Sequence, residues 1–406
     1  MVYVQDIDGK PMMPTTRHGK VRRLLKANKA TVVNLCPFTI QLTYKSTDHK
    51  QPVTLGIDAG AKHIGFSATT EKEELFACET ILRTDIVDLL STRSQNRRTR
   101  RSRLRYRKPK FNNRVFSKKK GWVAPSVKQR IDSHLNEVNE IHKILPITKI
   151  VIEAAQFDTH KMKNPNISGI DYQNGEQLGF WNVREYVLFR DGHKCSYCKG
   201  KSKDLILNIH HIESRKTGGD SPSNLITLCE TCHKEYHKGN IDLKVRRGKS
   251  LCGAAIMEIM KWRLYDELKS RYSNVSMTFG YITKYNRIKY GIEKSHTSDA
   301  FVISKNFNAK RIEYQYLKRL VRRHNRQIHK MKILKGGKKK NNQAPFEVFG
   351  FRLFDKVLYN NEINFIYGRR KSGNFNIRDF NGENPKDVSY KKLKLIRGKR
   401  HPIILK

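Results

Sequence analysis

PVTLGIDAGAKHIGFSATTEKEELFACETI, residues 52–81, reads as three apolar runs, PVTLGIDAG, IGFSATT and ELFACETI, parted by turn-forming or charged residues. Runs of this length and composition favour strands, and their short separations favour adjacent strands in a meander, so a sheet begins at Val53. Asp58 closes the first run, and Gly56, Gly60 and Gly65 around it leave room for backbone to approach a ligand. Alone, an aspartate here is equally a turn residue or part of a phosphate-holding DxG loop.

Two later segments supply partners for it. ITKIVIE, 147–153, is a buried-strand run that ends in Glu153, and SHTSDAFVIS, 295–304, places His296 three residues before Asp299 at a helix start. Three acids and a histidine on separate segments can converge at one sheet edge. Hard divalent cations take oxygen ligands, and a pair of Mg2+ ions held this way activates water on one side and neutralises a leaving alkoxide on the other. A DxG loop of the sugar-kinase type would leave the other two acids without a purpose.

Further along lie CSYC, 195–198, and LNIHHIESRKTGGDSPSNLITLCETCHKEYH, 207–237. Cys195 with Cys198 and Cys229 with Cys232 have the spacing of a closed, tetrahedral, structural four-thiolate zinc site, which would clamp a segment too small to fold alone. Redox pairs or disulfides are the alternatives. Of the seven cysteines the remaining three, Cys36, Cys78 and Cys252, are scattered, which suits metal ligation in a reducing compartment. Inside the clamp are His210, His211, Asn224, His233 and His237.

The whole chain of 406 residues carries 82 Lys and Arg against 37 Asp and Glu, a formal charge of +45. Such an excess argues against a small-molecule enzyme and for a polyanionic partner, nucleic acid first, although ribosomal and histone-like proteins share it. Residues 93–114, RSQNRRTRRSRLRYRKPKFNNR, hold eleven basic residues and no acid, and are expected to form an Arg-rich helix ending at Pro109. Residues 1–52 read as a small α/β unit, with a helix near Gly19–Ala27 and strands at Thr31–Leu35 and Phe38–Tyr44. Ser126–Leu145 has helical periodicity, with Ser126 and Gln129 as a capping box. A helix over Ala254–Arg271, a strand over Val275–Ile282, a basic helix over 306–333, a GGKKKNN linker at 336–342 and a small β domain from Phe346 complete the chain, with turns at Asn360-Asn361 and Ser372-Gly373-Asn374. No window has the roughly 20 apolar residues of a membrane span, and the N-terminus lacks a signal-like pattern. A soluble, cytoplasmic, nucleoid-associated prokaryotic protein is expected.

Asp58, Glu153, His296 and Asp299 together resemble the metal site of RuvC-like nucleases of the RNase H fold, with their first-strand Asp, later-strand Glu and HxxD motif. That resemblance implies that Asp58 and Asp299 hold Mg2+ directly, Glu153 bridges or completes the site, and His296 aids proton transfer or phosphate positioning. The cysteine–histidine segment closely resembles the HNH endonuclease ββα-metal motif. By that pattern His211 is the general base, Asn224 orients the motif around it, and His210 with His233 bind one catalytic ion, His237 being a further candidate ligand. Zinc-finger-like DNA binding without catalysis is the rival reading of this segment.

A RuvC-like core split in three, an Arg-rich segment after its first piece and an HNH module before its last resemble the IscB family, transposon-encoded RNA-guided DNA nucleases related to type II CRISPR effectors. The likeness covers nearly the whole chain. Pro11-Met12-Met13-Pro14 stands where the family has Pro-Leu-Met-Pro, GYITKYNRIKYGIEKSHTSDA (280–300) also looks like the family, and His210 replaces the Asp typical of the large CRISPR effectors. The implied organisation is α/β multidomain: an N-terminal domain 1–52, RuvC-like parts 53–92, 123–181 and 246–309, a bridge helix 93–122, a zinc-stabilised HNH module 182–245 and a C-terminal basic β domain 310–406. On this resemblance Arg93, Arg97, Arg98, Arg100, Arg101, Arg103, Arg105 and Arg107 would grip a structured guide RNA, with Tyr106 and Phe111 available to stack; a solvated charged helix is the plain alternative. The C-terminal domain would read a short flanking motif in duplex DNA. Arg369, Arg370 and Lys371 are accessible-looking candidates there. The expected activity is metal-dependent cleavage of both DNA strands by a monomeric protein in a ribonucleoprotein, HNH on the guide-paired strand and the RuvC-like site on the displaced one. A protein-only HNH homing or restriction endonuclease and a non-catalytic zinc-containing RNA-binding scaffold are the alternatives.

Overall fold

The computed structural model describes residues 1–47, 49–103, 122–154, 177–214, 219–246, 248, 252–322, 345–398 and 403–405. They fall into two compact units, residues 1–156 with 257–406, and residues 157–256. The architecture is mixed α/β with four sheets among the described residues.

The first unit opens with β1 (Tyr3–Gln5), α1 (His18–Lys26), β2 (Ala30–Leu35) and β3 (Phe38–Leu42), a three-stranded sheet in the order β1-β3-β2. Val2, Val21, Ala30, Ile40 and Leu42 form its core. The 52–81 stretch becomes β4 (Thr54–Ala59), β5 (His63–Thr69) and β6 (Glu74–Ile81), paired antiparallel in sequence. Helix α2 (Ile86–Arg103) starts seven residues before the first of the expected arginines, and α3 (Pro125–His142) buries Val127, Ile131, Leu135, Val138 and Ile141, the periodic positions of the sequence. Its N-terminus corrects the capping-box expectation. Pro125 at the first turn starts the helix with Ala124 as N-cap, no side chain caps it, and Gln129 instead donates to Ser133 Oγ at 2.8 Å. β7 (Lys149–Ala154) then lies parallel to β4.

The second unit contains α4 (Val183–Arg190), β8 (Leu207–His211), β9 (Leu225–Cys229) and α5 (Glu230–Lys238), with β8 and β9 an antiparallel pair. Asn182 caps α4 through Glu185 N, and a core of Cys195, Ile226, Leu228, Cys229 and Cys232 mixes thiols with aliphatic side chains.

The first unit resumes at Met257, within α6 (Cys252–Arg271), and continues with β10 (Val275–Phe279), α7 (Gly280–Lys289), α8 (His296–Ser304) and β11 (Tyr316–Arg319). The strand expected to run to Ile282 gives way to a helix at Gly280, and part of the helix expected over 306–333 is strand β11, which pairs with β6. Tyr316 is buried and Lys318 meets Glu137 of α3 at 2.9 Å, so sheet burial overrides the helical propensity of this basic stretch. β12 (Lys356–Tyr359), β13 (Glu362–Arg369), β14 (Asn374–Arg378), β15 (Lys386–Ser389) and β16 (Lys394–Arg397) make a five-stranded sheet around Val357, Ile366, Phe375 and Ile377. Asn360 and Asn361, both at positive φ (48° and 62°), form the tight turn between β12 and β13. Finally β17 (Ile403–Leu405) joins β11, which completes a seven-stranded sheet in the order β10-β7-β4-β5-β6-β11-β17. Thus β11 and β17, both from the 310–406 stretch, belong to the large sheet. The 336–342 linker lies outside the described residues.

Helix α8 lies directly on β4 and β5. A Cβ at Gly56 would run into the carbonyl oxygen of Ala300, and one at Gly65 into that of His296. This corrects the sequence reading of these glycines: the space they leave is filled by α8, and at Gly60 by the carbonyl of His63, not by a ligand.

Candidate functional site

In the first unit, strand register brings Asp58 beside Glu153. β4 and β7 are parallel with Ile57 opposite Ile152, so the next residues of the two strands are neighbours. The seating of α8 adds His296 and Asp299 from its first turn. His296 Nδ1 is 2.7 Å from Asp58 Oδ2, and Arg287 of α7 holds Asp299 Oδ1 at 3.1 Å. The three acids feel one another. Burial, and then the charges of Asp58 and Asp299, push Glu153 up to about 6, the Thr283 hydroxyl offsetting part of the rise. Burial and Asp58 likewise raise Asp299 against the pull of Arg287, while the bond to Asp58 raises His296. Clustered carboxylates, two of them raised by burial and by one another's charge, are a chemical fit to hard divalent cations. Their oxygens do not, among the described residues, form a set within 4.8 Å of one another.

A neighbouring pair was not anticipated from the sequence. His63 Nδ1 lies 2.8 Å from Glu79 Oε1, and its ring is parallel to that of His296, centroids 5.1 Å apart at 6°. His63, Glu79 and His296 bring ligand atoms within 4.8 Å. Yet parallel rings keep their lone pairs in parallel planes and must turn to meet one ion, so the pair is better suited to holding the His296 ring in place. The contact is a diagonal one across the β5–β6 ladder, where Glu79 stands opposite Gly65, two residues from His63, and no sequence spacing marks it.

The second unit separates its adjacent histidines by strand alternation. His210 and His211 end β8 and point to opposite faces. His210 is buried and meets His233 and His237, one turn apart on α5, with ring centroids 5.2 and 5.4 Å away. His210 Nε2 is buried without a partner, and the ligand nitrogens of the three rings lie within 4.8 Å. Burial, reinforced by the neighbouring imidazoles, pushes His210 down to about 4, and burial with His237 lowers His233. Three imidazoles whose nitrogens converge, one of them buried without a partner, fit a divalent cation.

On the other face, His211 Nε2 is 2.9 Å from Asp220 Oδ1. Asp220 lies in the quoted TGGDSPSN stretch, but nothing in its spacing marked it as the partner of His211. Asn224 is completely buried and spends its side chain on the backbone: it accepts from Glu213 N at 2.9 Å and donates to Glu213 O and Gly219 O at 3.0 and 2.9 Å. Those bonds tie the loop between β8 and β9, and so fix His211 against it.

Cys195, Cys198, Cys229 and Cys232 are free thiols whose sulfurs all lie within 4.8 Å. Cys198 and Cys229 are 3.8 Å apart. That is the edge of a tetrahedron with metal–sulfur bonds of about 2.3 Å, so the donor set fits zinc. Although burial opposes it, hydrogen bonds from the Ser202 hydroxyl and from the Ser202 and Gly200 backbone bring the Cys198 thiol down to about 6.

Arg93, Arg97, Arg98, Arg100, Arg101 and Arg103 all fall on α2, where Arg93 and Arg97 are exposed; the side chains from Arg98 to Arg103, and Arg105, Tyr106, Arg107 and Phe111 entirely, lie outside the described residues. The C-terminal candidates need correction. Arg369 is not an accessible reader: its guanidinium donates to the carbonyls of Pro345, Phe346 and Phe351, at 2.7 to 2.9 Å. Arg370 pairs with Asp387 at 3.0 Å and stays exposed, as does Lys371.

Among the described residues no helix is long and apolar enough to cross a membrane. Residues 195–239 match the HNH endonuclease family, and residues 2–175 match the family described as RRXRR protein, a range that includes Arg97-Arg98-Thr99-Arg100-Arg101. Anaredoxin of Nostoc sp. (strain PCC 7120 / SAG 25.82 / UTEX 2576) is 29% identical over 66 residues, 16% of this chain and 84% of that protein. Among solved structures, Streptococcus thermophilus Cas9 in complex with the AGAA PAM is 14% identical with a TM-score of 0.32, covering 51% of this chain and 28% of that one. The Type II-C Cas9 enzyme from Actinomyces naeslundii is 11% identical with a TM-score of 0.26, covering 63% and 60%. This chain therefore spans less than two thirds of either Cas9.

Proposed function

We propose that this chain, which carries an HNH endonuclease domain over residues 195–239, is an RNA-guided DNA endonuclease of the IscB type that cuts both strands of a target duplex. One observation carries the reading: two chemically different groups suited to phosphodiester hydrolysis occur on one strongly basic chain. The first is Asp58, Glu153 and Asp299 with His296; the second is His210, His233 and His237 with His211.

In the HNH module His211 is the general base for the attacking water. His211 Nε2–H donates a hydrogen bond to Asp220 Oδ1, which leaves the Nδ1 lone pair to take a proton from the water. Asn224 keeps the surrounding loop in place, and His210, His233 and His237 hold a divalent ion, which when bound polarises the scissile phosphate. Cys195, Cys198, Cys229 and Cys232 hold a structural zinc. In the first unit Asp58, Glu153 and Asp299 hold two Mg2+, and His296, oriented by Asp58, positions the phosphate or moves a proton. The RuvC-like assignment of that sheet, split over 53–92, 123–181 and 246–309, belongs to this proposal, as do the bridge helix at 93–122, the N-terminal domain 1–52, the HNH bounds 182–245 and flanking-motif reading by 310–406. HNH cuts the guide-paired strand and the carboxylate group the displaced one.

The test is the nucleic acid that accompanies the protein. After a high-salt wash, sequencing of bound RNA should return one long structured species, and the complex should linearise a plasmid bearing its matching segment only with a divalent cation. Cutting by RNA-free protein would point instead to a protein-only nuclease, and binding without any cutting to a scaffold.

A further inference from the structure

Helix α7 divides its residues between two faces. Gly280, Thr283 and Arg287 turn toward the carboxylates: a Cβ at Gly280 would lie 3.1 Å from Glu153 Oε1, Thr283 is buried beside Glu153, and Arg287 holds Asp299. Tyr281, Lys284, Tyr285 and Ile288 follow the i, i+3, i+4, i+7 spacing of a second stripe beside it. Tyr281, Tyr285 and Ile288 are 70%, 66% and 64% exposed. Scattered apolar residues at a surface are ordinary, whereas a continuous stripe marks an interaction site. The Phe279 ring, parallel to Tyr281 at 6.1 Å, extends it.

We propose that this stripe is a stacking platform for unpaired bases of the DNA strand that enters the carboxylate group. The inference rests on the reading of that group as a strand-cutting site. Base faces are hidden in a duplex and offered by a single strand, and aromatic side chains interleaved with cations are what such a strand binds. Arg287 is engaged by Asp299, but helix α7 carries no acid of its own and leaves Lys284 and Lys289 exposed, two positive charges for phosphates. Four residues of helix separate the two tyrosines by about 6 Å along the axis, so neighbouring bases of one strand can lie on successive rings. A second copy of a chain with a formal charge of +45 would be repelled from this surface. RNA has the same stacking faces; nearness to the acids that cut DNA favours the DNA strand.

The test uses the full chain with its copurified RNA, a DNA oligonucleotide carrying one 2-aminopurine, and a labelled target duplex. Stacking should quench the probe with the natural chain and with Tyr281→Phe/Tyr285→Phe, but not with Tyr281→Ala/Tyr285→Ala. The alanine pair should also cut the displaced strand about tenfold or more slowly, with the other strand cut as before and the melting temperature unchanged. Equal quenching and equal cutting by the alanine pair overturn the proposal, as does quenching confined to an RNA version of the probe. So does a concentration-dependent dimer that the alanine pair abolishes without change in cutting. If the natural chain cuts neither strand, the nuclease reading fails, while the quenching comparison still decides the platform.

Discussion

The Nδ1 of His296 lies 2.7 Å from Oδ2 of Asp58 across 238 positions of sequence. That contact joins the first strand of the meander to a helix from a distant part of the chain that packs on the middle of the large sheet, and with Glu153 and Asp299 it makes one electrostatic neighbourhood. The same chain keeps a second, imidazole-based group in the unit of residues 157–256.

Separate groups should fail separately. Asp58→Ala is expected to abolish cutting of the displaced strand alone, and His211→Ala to slow cutting of the guide-paired strand by about 10²–10⁴-fold, the usual contribution of a general base. Strand-specific end labels on one target read both. Equal loss of both cuts from either variant would refute the assignment of one strand to each group.

Gly65→Ala tests the seat of α8. The added methyl meets the His296 carbonyl with no flexible side chain to yield, so α8 must shift or the unit loses about 1–3 kcal/mol. Calorimetry should show a lower melting temperature, and displaced-strand cutting should fall with HNH cutting preserved. Unchanged values for both would show that the helix has slack.

How much of this was legible beforehand follows from the physics of each feature. The meander, the first helix with its two following strands, and the ββα segment were readable because buried strands and amphipathic helices write their periods into short windows. Asp58, Glu153 and Asp299 could be listed from strand ends and a helix start, but their meeting depends on register and on two glycines whose openness is used by a helix rather than a ligand. Asp220, His63 and Glu79 escaped because each acts through one long-range side-chain contact with no spacing rule. Tyr316 and Lys318 read as helix because local propensity is silent about a sheet edge waiting beside β6. Arg369 looked free because nothing in its neighbours announced the three carbonyls it satisfies.

Removal of zinc should unfold the HNH module. Chelation at neutral pH, or Cys195→Ser, is expected to release one zinc per chain and abolish guide-paired-strand cutting, because a core this small depends on its metal. Atomic absorption and proteolysis of residues 195–239 give the two readouts. Full HNH activity in a zinc-free chain would refute the structural role.

His134 gives a pH dependence with a definite sign. Burial first, and the nearby Arg130 charge, hold its imidazole down to about 4 from 6.5 against the opposing Arg130 carbonyl and Asp58. Above 6.5 neither folded nor unfolded chain protonates it, so its contribution is fully present. As pH falls from 6.5 toward 4 only the unfolded chain takes the proton, and up to about 3 kcal/mol of stability is lost. His134→Leu should remove that part of the slope in denaturant melts from pH 7 to 4. An identical slope in the variant would show that the loss arises elsewhere.

One consequence of the β8–β9 pairing concerns the division of labour between twin imidazoles. Cys229 stands opposite Leu207, and four positions on, Leu225 stands opposite His211. A slip of one residue would exchange the faces of His210 and His211 and hand each the other's surroundings. Because Cys229 is both a ladder residue and one of four clustered thiols, that cluster acts as an index pin: it sets the phase of the hairpin and thereby decides which of two chemically identical rings faces His233 and which faces Asp220.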